Sequence, residues 1–293
     1  MTHYIGRFAP SPTGPLHFGS LVSALASFLD ARAAQGQWLV RIEDLDPPRE
    51  DPSAAAEILR ILDQYGLYHD GEVVYQSQRS DLYQAALEQL ISSGAAFPCT
   101  CSRSQLGGRL HLGICSARPG EDCAYRFLCP GTHLTLHDGL QPDHSYDCQQ
   151  SIGDFVIRRR DHLWSYQLAV VVDDAAQGIT HVVRGIDLMD STARQYLLQQ
   201  ALALPHPHYS HLPVAVERNG QKLSKQNLSL AVCGADVAAT LFTALQWLRQ
   251  SPPDALASAG RDEMLQWAVA HWQPALLSGL SGQPAPSSFM RPS

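Results

Sequence analysis

The start of the chain combines a short strand, a turn and a helix, and this stretch constrains the fold more than any other. Residues 4–8 are typical of a strand, and the prolines and Gly14 that follow predict a turn. From Leu21 the apolar residues recur at helical spacing, which predicts a helix with one buried face. The free N–H groups at the start of such a helix can bind an anion. The stretch therefore predicts an α/β protein with an anion site, in which His17 either reaches a phosphate or is a solvated loop residue.

A second polar stretch, at 219–227, contains a glycine and two lysines, Lys222 and Lys225, on either side of Leu223 and Ser224. A loop that carries a lysine near its tip can close over a nucleotide phosphate as a mobile point charge. A solvated surface loop is the alternative for this stretch when it is taken alone.

Together the two stretches resemble the signature motifs of class I aminoacyl-tRNA synthetases. The HIGH motif of that class is similar to His17-Phe18-Gly19-Ser20, and the KMSKS motif is similar to Lys222-Leu223-Ser224-Lys225-Gln226. Ser20 replaces the second histidine of the first motif, and Gln226 replaces the final serine of the second. The stretches 7–14 and 41–49 further resemble the glutamyl branch of the class.

The resemblance implies a ligase-type enzyme that uses ATP and Mg²⁺ to convert L-glutamate into glutamyl adenylate. After the lysine stretch only residues 228–293 follow, whereas a full glutamyl-tRNA synthetase carries a large anticodon-binding region there. We therefore expect a truncated paralogue, of the kind that attaches glutamate to queuosine, the modified wobble base of tRNA(Asp). A minimal glutamyl-tRNA synthetase that charges the tRNA 3′ end and a non-catalytic RNA-binding paralogue are the alternatives.

The resemblance also implies which residues bind the substrates. It assigns catalysis to His17 and Lys225, and ATP binding to the two motifs, namely His17, Gly19, Ser20, Lys222, Ser224 and Lys225. It assigns glutamate to a pocket formed by Arg7, Phe8, Ala9, Pro10, Ser11, Glu43, Tyr166 and Arg184. The chemistry is consistent, because two guanidinium groups suit the two carboxylates of glutamate and a glutamate side chain suits its ammonium group.

Several of these residues have structural alternatives. Arg184 could form an ion pair with Asp187, Tyr166 could be an ordinary aromatic residue of a strand, and Glu43 could cap the turn before Pro47. Which arginine binds which carboxylate of glutamate stays open.

A cluster of cysteines predicts a metal site. Cys99, Cys101, His111 and Cys115 supply three thiolates and one imidazole, a set that suits a closed tetrahedral structural zinc. A competing choice replaces the last two residues by Tyr125 and Cys129, beside Cys123; imidazole is the better zinc ligand, so we prefer His111 and Cys115. Free buried thiols without a metal are the remaining alternative, and Cys148 and Cys233 are expected to be ordinary thiols.

The alternation of strands and helices predicts a Rossmann-like, doubly wound parallel sheet. Its two halves are expected at 1–96 and 162–228, separated by an inserted zinc-bearing subdomain at 97–161 and followed by a short helical region at 229–293. Strands are predicted at 38–42, 73–75, 163–172 and 179–184, and helices at 53–65, 81–91, 191–202, 237–249 and 264–272. The last residues, rich in proline, serine and glycine, are expected to be mobile.

Composition argues against several classes of protein. With 293 residues, 45% of them hydrophobic, the chain can bury one large core or two modest ones. No apolar run suggests export or membrane insertion, so we expect a cytoplasmic monomer in which cysteines are free or bind metal. The net charge of −7 means that RNA contact requires a local basic surface. The densest basic region of the sequence contains residues 158–160 together with Arg103, Arg109 and Arg126. This region is either the surface that contacts RNA or an ordinary charged strand edge.

Overall fold

The structure is a computed structural model that describes residues 3–115, 117, 122–217, 232, 234 and 236–290. Its first unit contains strands β1 (Ile5–Phe8), β2 (Gln37–Ile42) and β3 (Val74–Tyr75), and helices α1 (Phe18–Ala33) and α2 (Ala54–Gln64). The three strands pair in parallel in the order β1-β2-β3. Helix α1 is buried on almost every side because the sheet and two C-terminal helices, α7 (Val237–Trp247) and α8 (Arg261–Ala270), all pack against it.

The second unit lies on the other side of β1. It contains helix α5 (Tyr166–Ala176), strand β9 (His181–Gly185), helix α6 (Met189–Ala201) and strand β10 (His208–Leu212), and β9 and β10 pair in parallel. Strand β9 lies beside β1, where Thr180 N donates a 2.9 Å hydrogen bond to Ile5 O. The strands therefore lie side by side in the order β3-β2-β1-β9-β10, with β9 and β10 forming a two-stranded ladder of their own next to β1. From β1 the chain builds outward first to β2 and β3 and later, on the other side, to β9 and β10. Open α/β sheets bind ligands at the carboxyl ends of the strands where the chain changes sides in this way.

One predicted strand is wrong. The apolar run at 163–172 forms helix α5 instead of a strand. Ser165 caps this helix, its hydroxyl accepting a hydrogen bond from Leu168 N. A continuous apolar run fits a fully buried helix as well as a buried strand, and here α3 (Ser80–Ser92) and α6 cover the run. The other predicted strands and helices are confirmed, with shifts of a few residues at their ends.

The segment between the two halves of the parallel sheet is antiparallel. After helix α3 (Ser80–Ser92) come β4 (Ala96–Cys99), the short helix α4 (Arg103–Leu106) and the remaining strands of the insertion, β5 (Ala124–Phe127), β6 (His133–Leu136), β7 (His144–Asp147) and β8 (Phe155–Arg158). Strands β4, β5 and β8 form one sheet, and β6 and β7 form a hairpin. This segment lies in the region where the insertion is predicted, while the bounds of the four predicted domains stay a prediction.

The C-terminal part packs back onto the first unit. It contains β11 (Val214–Val216), α7 (Val237–Trp247), α8 (Arg261–Ala270) and β12 (Gly282–Pro284), and β12 pairs in parallel with β11. The ring of Phe289 stacks on Phe18 at a centroid distance of 4.6 Å. The predicted mobile end is therefore wrong for residues 282–290, because the buried side chains of Ala285 and Phe289 hold it against the core.

Buried side chains form two large clusters, one around α1, α7 and α8 and one between α3, α5, α6 and β8. Among the described helices, none is long and apolar enough to cross a membrane. The cytoplasmic location and the monomeric state stay predictions.

Candidate active site and metal centre

A cavity of about 1330 Å³ opens at the carboxyl ends of β1, β2 and β9. Every described residue that the sequence assigns to glutamate or ATP lines it, namely Arg7, Phe8, Ala9, Pro10, Ser11, His17, Gly19, Ser20, Glu43, Tyr166 and Arg184. The cavity also reaches the inserted subdomain, where Cys101 and Arg126 contribute to its wall. The structure thus brings the predicted residues together, while their individual roles stay a prediction.

His17 caps helix α1 at the edge of the cavity. Its Nδ1 accepts a 3.3 Å hydrogen bond from Ser20 N, and its Nε2 lies 3.1 Å from Ser20 Oγ. A backbone N–H can only donate, so Nδ1 carries no proton and the neutral ring holds its proton on Nε2. Ser20, which replaces the second histidine of the HIGH motif, therefore orients the ring of the first.

Two glycines shape this turn. Gly14 has a φ of 135°, in the left-handed region that favours glycine. A Cβ atom added to Gly19 would lie 3.3 Å from the ring of His17. A side chain at either position would therefore strain the turn or displace the histidine.

The lysine stretch falls within residues 218–231, outside the described part of the chain, together with the predicted residues Lys222, Ser224 and Lys225; Cys233 is also outside it. Both flanks of the stretch border the histidine turn. Val214 and Ala215 of β11 line the cavity, and Val232 N donates a 3.0 Å hydrogen bond to Leu16 O.

Arg7 is buried and forms an ion pair with Asp174 of helix α5. Its Nε and Nη2 atoms each lie 3.3 Å from one oxygen of that carboxylate. This contact uses one edge of the guanidinium group, and the edge that contains Nη1 is left for a ligand in the cavity. Burial opposes the ionised form of Asp174, but Arg7 and Arg41 outweigh it and lower the pKa of the carboxyl group.

Glu43 stands at the end of β2, where Arg41 Nη2 lies 3.4 Å from its Oε1 atom. Burial raises the pKa of Glu43, although Arg41 and Arg7 oppose this. A ligand with a positive charge would stabilise the ionised carboxylate. The alternative role of Glu43, capping the turn before Pro47, is wrong. The backbone N–H of Asp46, which precedes Pro47, donates its hydrogen bond to Oε1 of Glu50 at 2.7 Å and not to Glu43.

Arg184 is buried at the end of β9, and its hydrogen bonds fix its plane. Nη2 donates to Thr192 Oγ1 at 2.6 Å and to Gln195 Oε1 at 2.8 Å, and Nε donates to His211 Nε2 at 3.2 Å. Nη1 lies 3.3 Å from the hydroxyl of Tyr166, the first residue of α5. One N–H of Nη1 and the hydroxyl of Tyr166 thus offer two neighbouring donors to an anion.

Sequence reasoning missed the charged residues that surround Arg7. Arg41 is fully buried between Asp173, Asp174 and Glu43, and Asp173 also accepts a hydrogen bond from Arg79 Nε at 2.5 Å. A signal was present, because Arg41 interrupts an apolar strand and the aspartates end an apolar run. Charged residues in such positions are rarely buried unless they are paired.

The predicted metal ligands Cys99, Cys101, His111 and Cys115 converge. Their ligand atoms all lie within 4.8 Å of one another, and His111 Nε2 is 3.0 Å from Cys115 Sγ. Tetrahedral zinc with bonds of about 2.3 Å to sulfur holds its ligands about 3.8 Å apart, so the set has a suitable size. The cluster can therefore hold a metal ion.

A second layer of contacts supports this cluster. Asp154 Oδ2 lies 2.9 Å from His111 Nδ1, which leaves Nε2 to face the thiols. Arg126 Nε donates to Cys99 Sγ at 3.2 Å. The competing ligand Cys129 lies outside the cluster: its thiol donates to Cys148 O, and burial raises its pKa to about 12.

The predicted basic region is divided by the fold. Arg126 is buried against the cysteine cluster, and Arg158 lies over the ring of Trp164 at 4.7 Å. Arg159 and Arg160 are exposed at the rim of the cavity. Arg159 is partly neutralised by Asp161, at 2.6 Å.

The fold and the cavity define a catalytic domain of the aminoacyl-tRNA synthetase type. Residues 5–112 and 115–249 match the family of tRNA synthetases class I (E and Q), catalytic domain. The chain therefore belongs to this family of ligases, which confirms the predicted enzyme class.

Individual relatives agree with this assignment. The chain is 51% identical over 279 residues to glutamyl-Q tRNA(Asp) synthetase from Thiobacillus denitrificans, covering 92% of this chain and 93% of that protein. The protein of the same name from Pseudomonas aeruginosa is 51% identical over 273 residues, with the same coverage. Among solved structures, glutamate-tRNA synthetase from Elizabethkingia anophelis has a TM-score of 0.81 at 24% identity, covering 98% of this chain and 69% of that one, and thus shares the fold.

Proposed function

We propose that the chain activates L-glutamate with ATP and transfers it to queuosine at the wobble position of tRNA(Asp). The observation that carries the proposal is the convergence of Arg7, Glu43, Tyr166 and Arg184 in one cavity beside the His17 turn. RNA binding alone does not require two buried arginines with donors left over and a buried carboxylate in the same cavity. This set therefore favours an enzyme over a non-catalytic RNA-binding paralogue.

The pocket suits a molecule with two carboxylates and one ammonium group. Arg7 offers the guanidinium edge that Asp174 does not use, and Arg184 offers one N–H beside the Tyr166 hydroxyl. Glu43 would bind the ammonium group, whose charge offsets the cost of burying the carboxylate.

Activation joins a glutamate carboxylate oxygen to the α-phosphorus of ATP, and pyrophosphate leaves. His17 and Lys225 would stabilise the negative charge that develops on the phosphate oxygens, with Gly19, Ser20, Lys222 and Ser224 also at the nucleotide. Mg²⁺ bound to ATP would neutralise further phosphate charge. In the second step a hydroxyl of the acceptor attacks the acyl carbon, and AMP leaves.

The cysteine cluster would hold one structural Zn²⁺ through Cys99, Cys101, His111 and Cys115. Three thiolates and an imidazole occupy all four positions of a tetrahedral ion, so no position stays open for a substrate. The ion would stiffen the loop that carries Cys101 into the cavity wall.

The acceptor is supported by the names of relatives at 51% identity, which are glutamyl-Q tRNA(Asp) synthetases. The test uses radiolabelled glutamate, ATP, and tRNA(Asp) with or without queuosine. We expect label only on the queuosine-bearing tRNA, and only on its anticodon fragment after nuclease cleavage. Label on the 3′ end of tRNA(Glu) would support a minimal glutamyl-tRNA synthetase instead.

Activation is tested separately by glutamate-dependent exchange of pyrophosphate into ATP without tRNA. Exchange with glutamate, and none with aspartate, is the expected result. Exchange that is independent of the amino acid would contradict the glutamate pocket while leaving the nucleotide site intact.

A further inference from the structure

A buried histidine of strand β10 connects the inserted subdomain to the proposed glutamate pocket. His211 is fully buried behind Arg184, with its Nε2 atom 3.2 Å from Arg184 Nε. On the opposite side of the ring, Nδ1 lies 2.5 Å from Oδ2 of Asp138. Asp138 belongs to the connection between β6 and β7, 73 positions away in the chain.

The hydrogen bonds around His211 allow one protonation state. The guanidinium group of Arg184 can only donate, so Nε2 of His211 accepts and carries no proton. The proton of the neutral ring is therefore on Nδ1 and is donated to the carboxylate of Asp138. Burial lowers the pKa of His211, even though the carboxylate of Asp138 acts in the opposite direction. A lowered pKa favours the neutral ring.

Thr192 fits the same assignment. Its Oγ1 atom accepts from Arg184 Nη2 at 2.6 Å and donates to Leu188 O at 3.2 Å. The hydroxyl has one proton, so it does not compete with Arg184 for the single lone pair of His211 Nε2, although Oγ1 and Nε2 are 3.0 Å apart.

The carboxylate of Asp138 is held in place by the backbone. Its Oδ1 atom accepts from Leu140 N and Gln141 N at 2.9 Å each and from His211 N at 3.1 Å. Only Oδ2 therefore faces the imidazole ring.

We propose that Asp138 and His211 are positioning residues for the proposed function: Asp138 selects the tautomer of His211 that accepts from Arg184, and this holds the guanidinium group in its substrate-binding orientation. The proposal rests on the proposed function through the role of Arg184 in glutamate binding. Through Asp138 the inserted subdomain would help to orient a residue of the glutamate pocket, and this role is separate from that of the metal cluster.

The substitution Asp138→Asn tests the proposal. The amide oxygen keeps the three backbone hydrogen bonds, so the NH₂ group replaces Oδ2 and donates to His211 Nδ1. The ring proton must then move to Nε2, where it faces the N–H of Arg184. We expect the KM for glutamate in pyrophosphate exchange to rise about 10- to 100-fold, because a buried donor loses its acceptor. The KM for ATP should change much less.

Asp143→Asn is the matched control. Asp143 lies in the same connection and is 3.0 Å from His137 Nδ1, but both side chains are exposed. We expect no change in the KM for glutamate. An equal change in both variants would overturn the proposal, because it would indicate a general effect on the β6–β7 connection.

Nitrogen-15 NMR of the histidine rings reports the tautomer of His211 directly. A merely structural role of Asp138 would not require this tautomer to change. The wild type should show His211 protonated at Nδ1, and Asp138→Asn should show it protonated at Nε2. A changed tautomer with an unchanged KM for glutamate overturns the proposal. If the wild type shows no glutamate-dependent exchange, the proposed function fails, while the tautomer shift still tests the Asp138–His211 contact.

A second pair of variants serves if Asp138→Asn does not fold. His211→Gln keeps a carbonyl acceptor for Arg184, whereas His211→Leu fills similar space without one. We expect the KM for glutamate to be about 10-fold higher in the leucine variant than in the glutamine variant. Equal values in the two variants would show that Arg184 does not depend on the acceptor.

Discussion

Arg7 of strand β1 and Asp174 of helix α5 form a buried, two-point ion pair, in which Nε and Nη2 each lie 3.3 Å from a carboxylate oxygen. The two residues are 167 positions apart, one from each half of the parallel sheet. Asp174 also lies 2.8 Å from Arg41 Nη2. The pair therefore joins the halves of the sheet at the point where the proposed substrate binds.

Asp174→Asn should lower the free energy of unfolding by about 3–5 kcal/mol at pH 7, because it leaves buried guanidinium groups without their counter-charge. Urea unfolding measures the change. Asp161→Asn is the control: its pair with Arg159 is about half exposed, so about 0–1 kcal/mol is expected. A loss for Asp174→Asn no larger than this control value would show that the buried pair is not important for stability.

The stabilisation by Asp174 should depend on pH with a defined sign. The arginines lower the pKa of this carboxyl group in the folded state below its ordinary value of 3.8. The contribution is therefore complete above that value and is lost as the pH falls through the folded-state pKa. Unfolding free energies of wild type and Asp174→Asn should converge in this acidic range, and a constant difference down to pH 2 would contradict the assignment.

Glu43→Gln should raise the KM for glutamate about 10- to 100-fold, because it removes the charge proposed to bind the ammonium group. Pyrophosphate exchange measures the effect. The matched control is Asp44→Asn, whose carboxylate accepts hydrogen bonds from Ser77 outside the cavity lining. Burial raises the pKa of Glu43, so this carboxylate becomes protonated at a pH above its ordinary value of 4.5. As the pH is lowered, the KM of the wild type for glutamate should therefore begin to rise before pH 4.5 is reached, whereas the KM of the variant should not show this rise.

Lys225→Ala should reduce pyrophosphate exchange about 100- to 1000-fold and leave glutamate binding nearly unchanged, because it removes positive charge at the α-phosphate. Calorimetric titration with glutamate provides the second measurement. Gln221→Ala, in the same stretch, serves as the control and should retain exchange. Near-normal exchange by Lys225→Ala would remove this lysine from the mechanism.

Asp154→Asn should weaken zinc binding about 10- to 100-fold. Its amide oxygen keeps the hydrogen bond from Cys129 N, so its NH₂ group faces His111 and moves the ring proton to Nε2, the atom aimed at the cluster. Competition with a chromogenic chelator measures the affinity. Cys129→Ser should retain one zinc per chain, and loss of metal from that variant would restore the competing ligand set.

Much of the candidate site follows from local sequence patterns. The strand, proline turn and helix that carry Arg7 and His17 are encoded within a short stretch, since backbone preferences and apolar spacing act over a few residues. The metal ligands are also recognisable, because cysteine and histidine have few other reasons to cluster. The predicted strand at 163–172 is wrong because a fully buried segment lacks the periodicity that separates a helix from a strand.

By itself, then, the sequence determined the family motifs, the parallel α/β class and the side chains that converge on the cavity and the metal cluster. Only the tertiary structure decided which partners the buried charges take: Asp174 for Arg7, Asp138 for His211 and Asp154 for His111. The reason is physical. A buried charge must be compensated, but any of several carboxylates could do so, and the order of strands in the sheet selects the one that lies within reach.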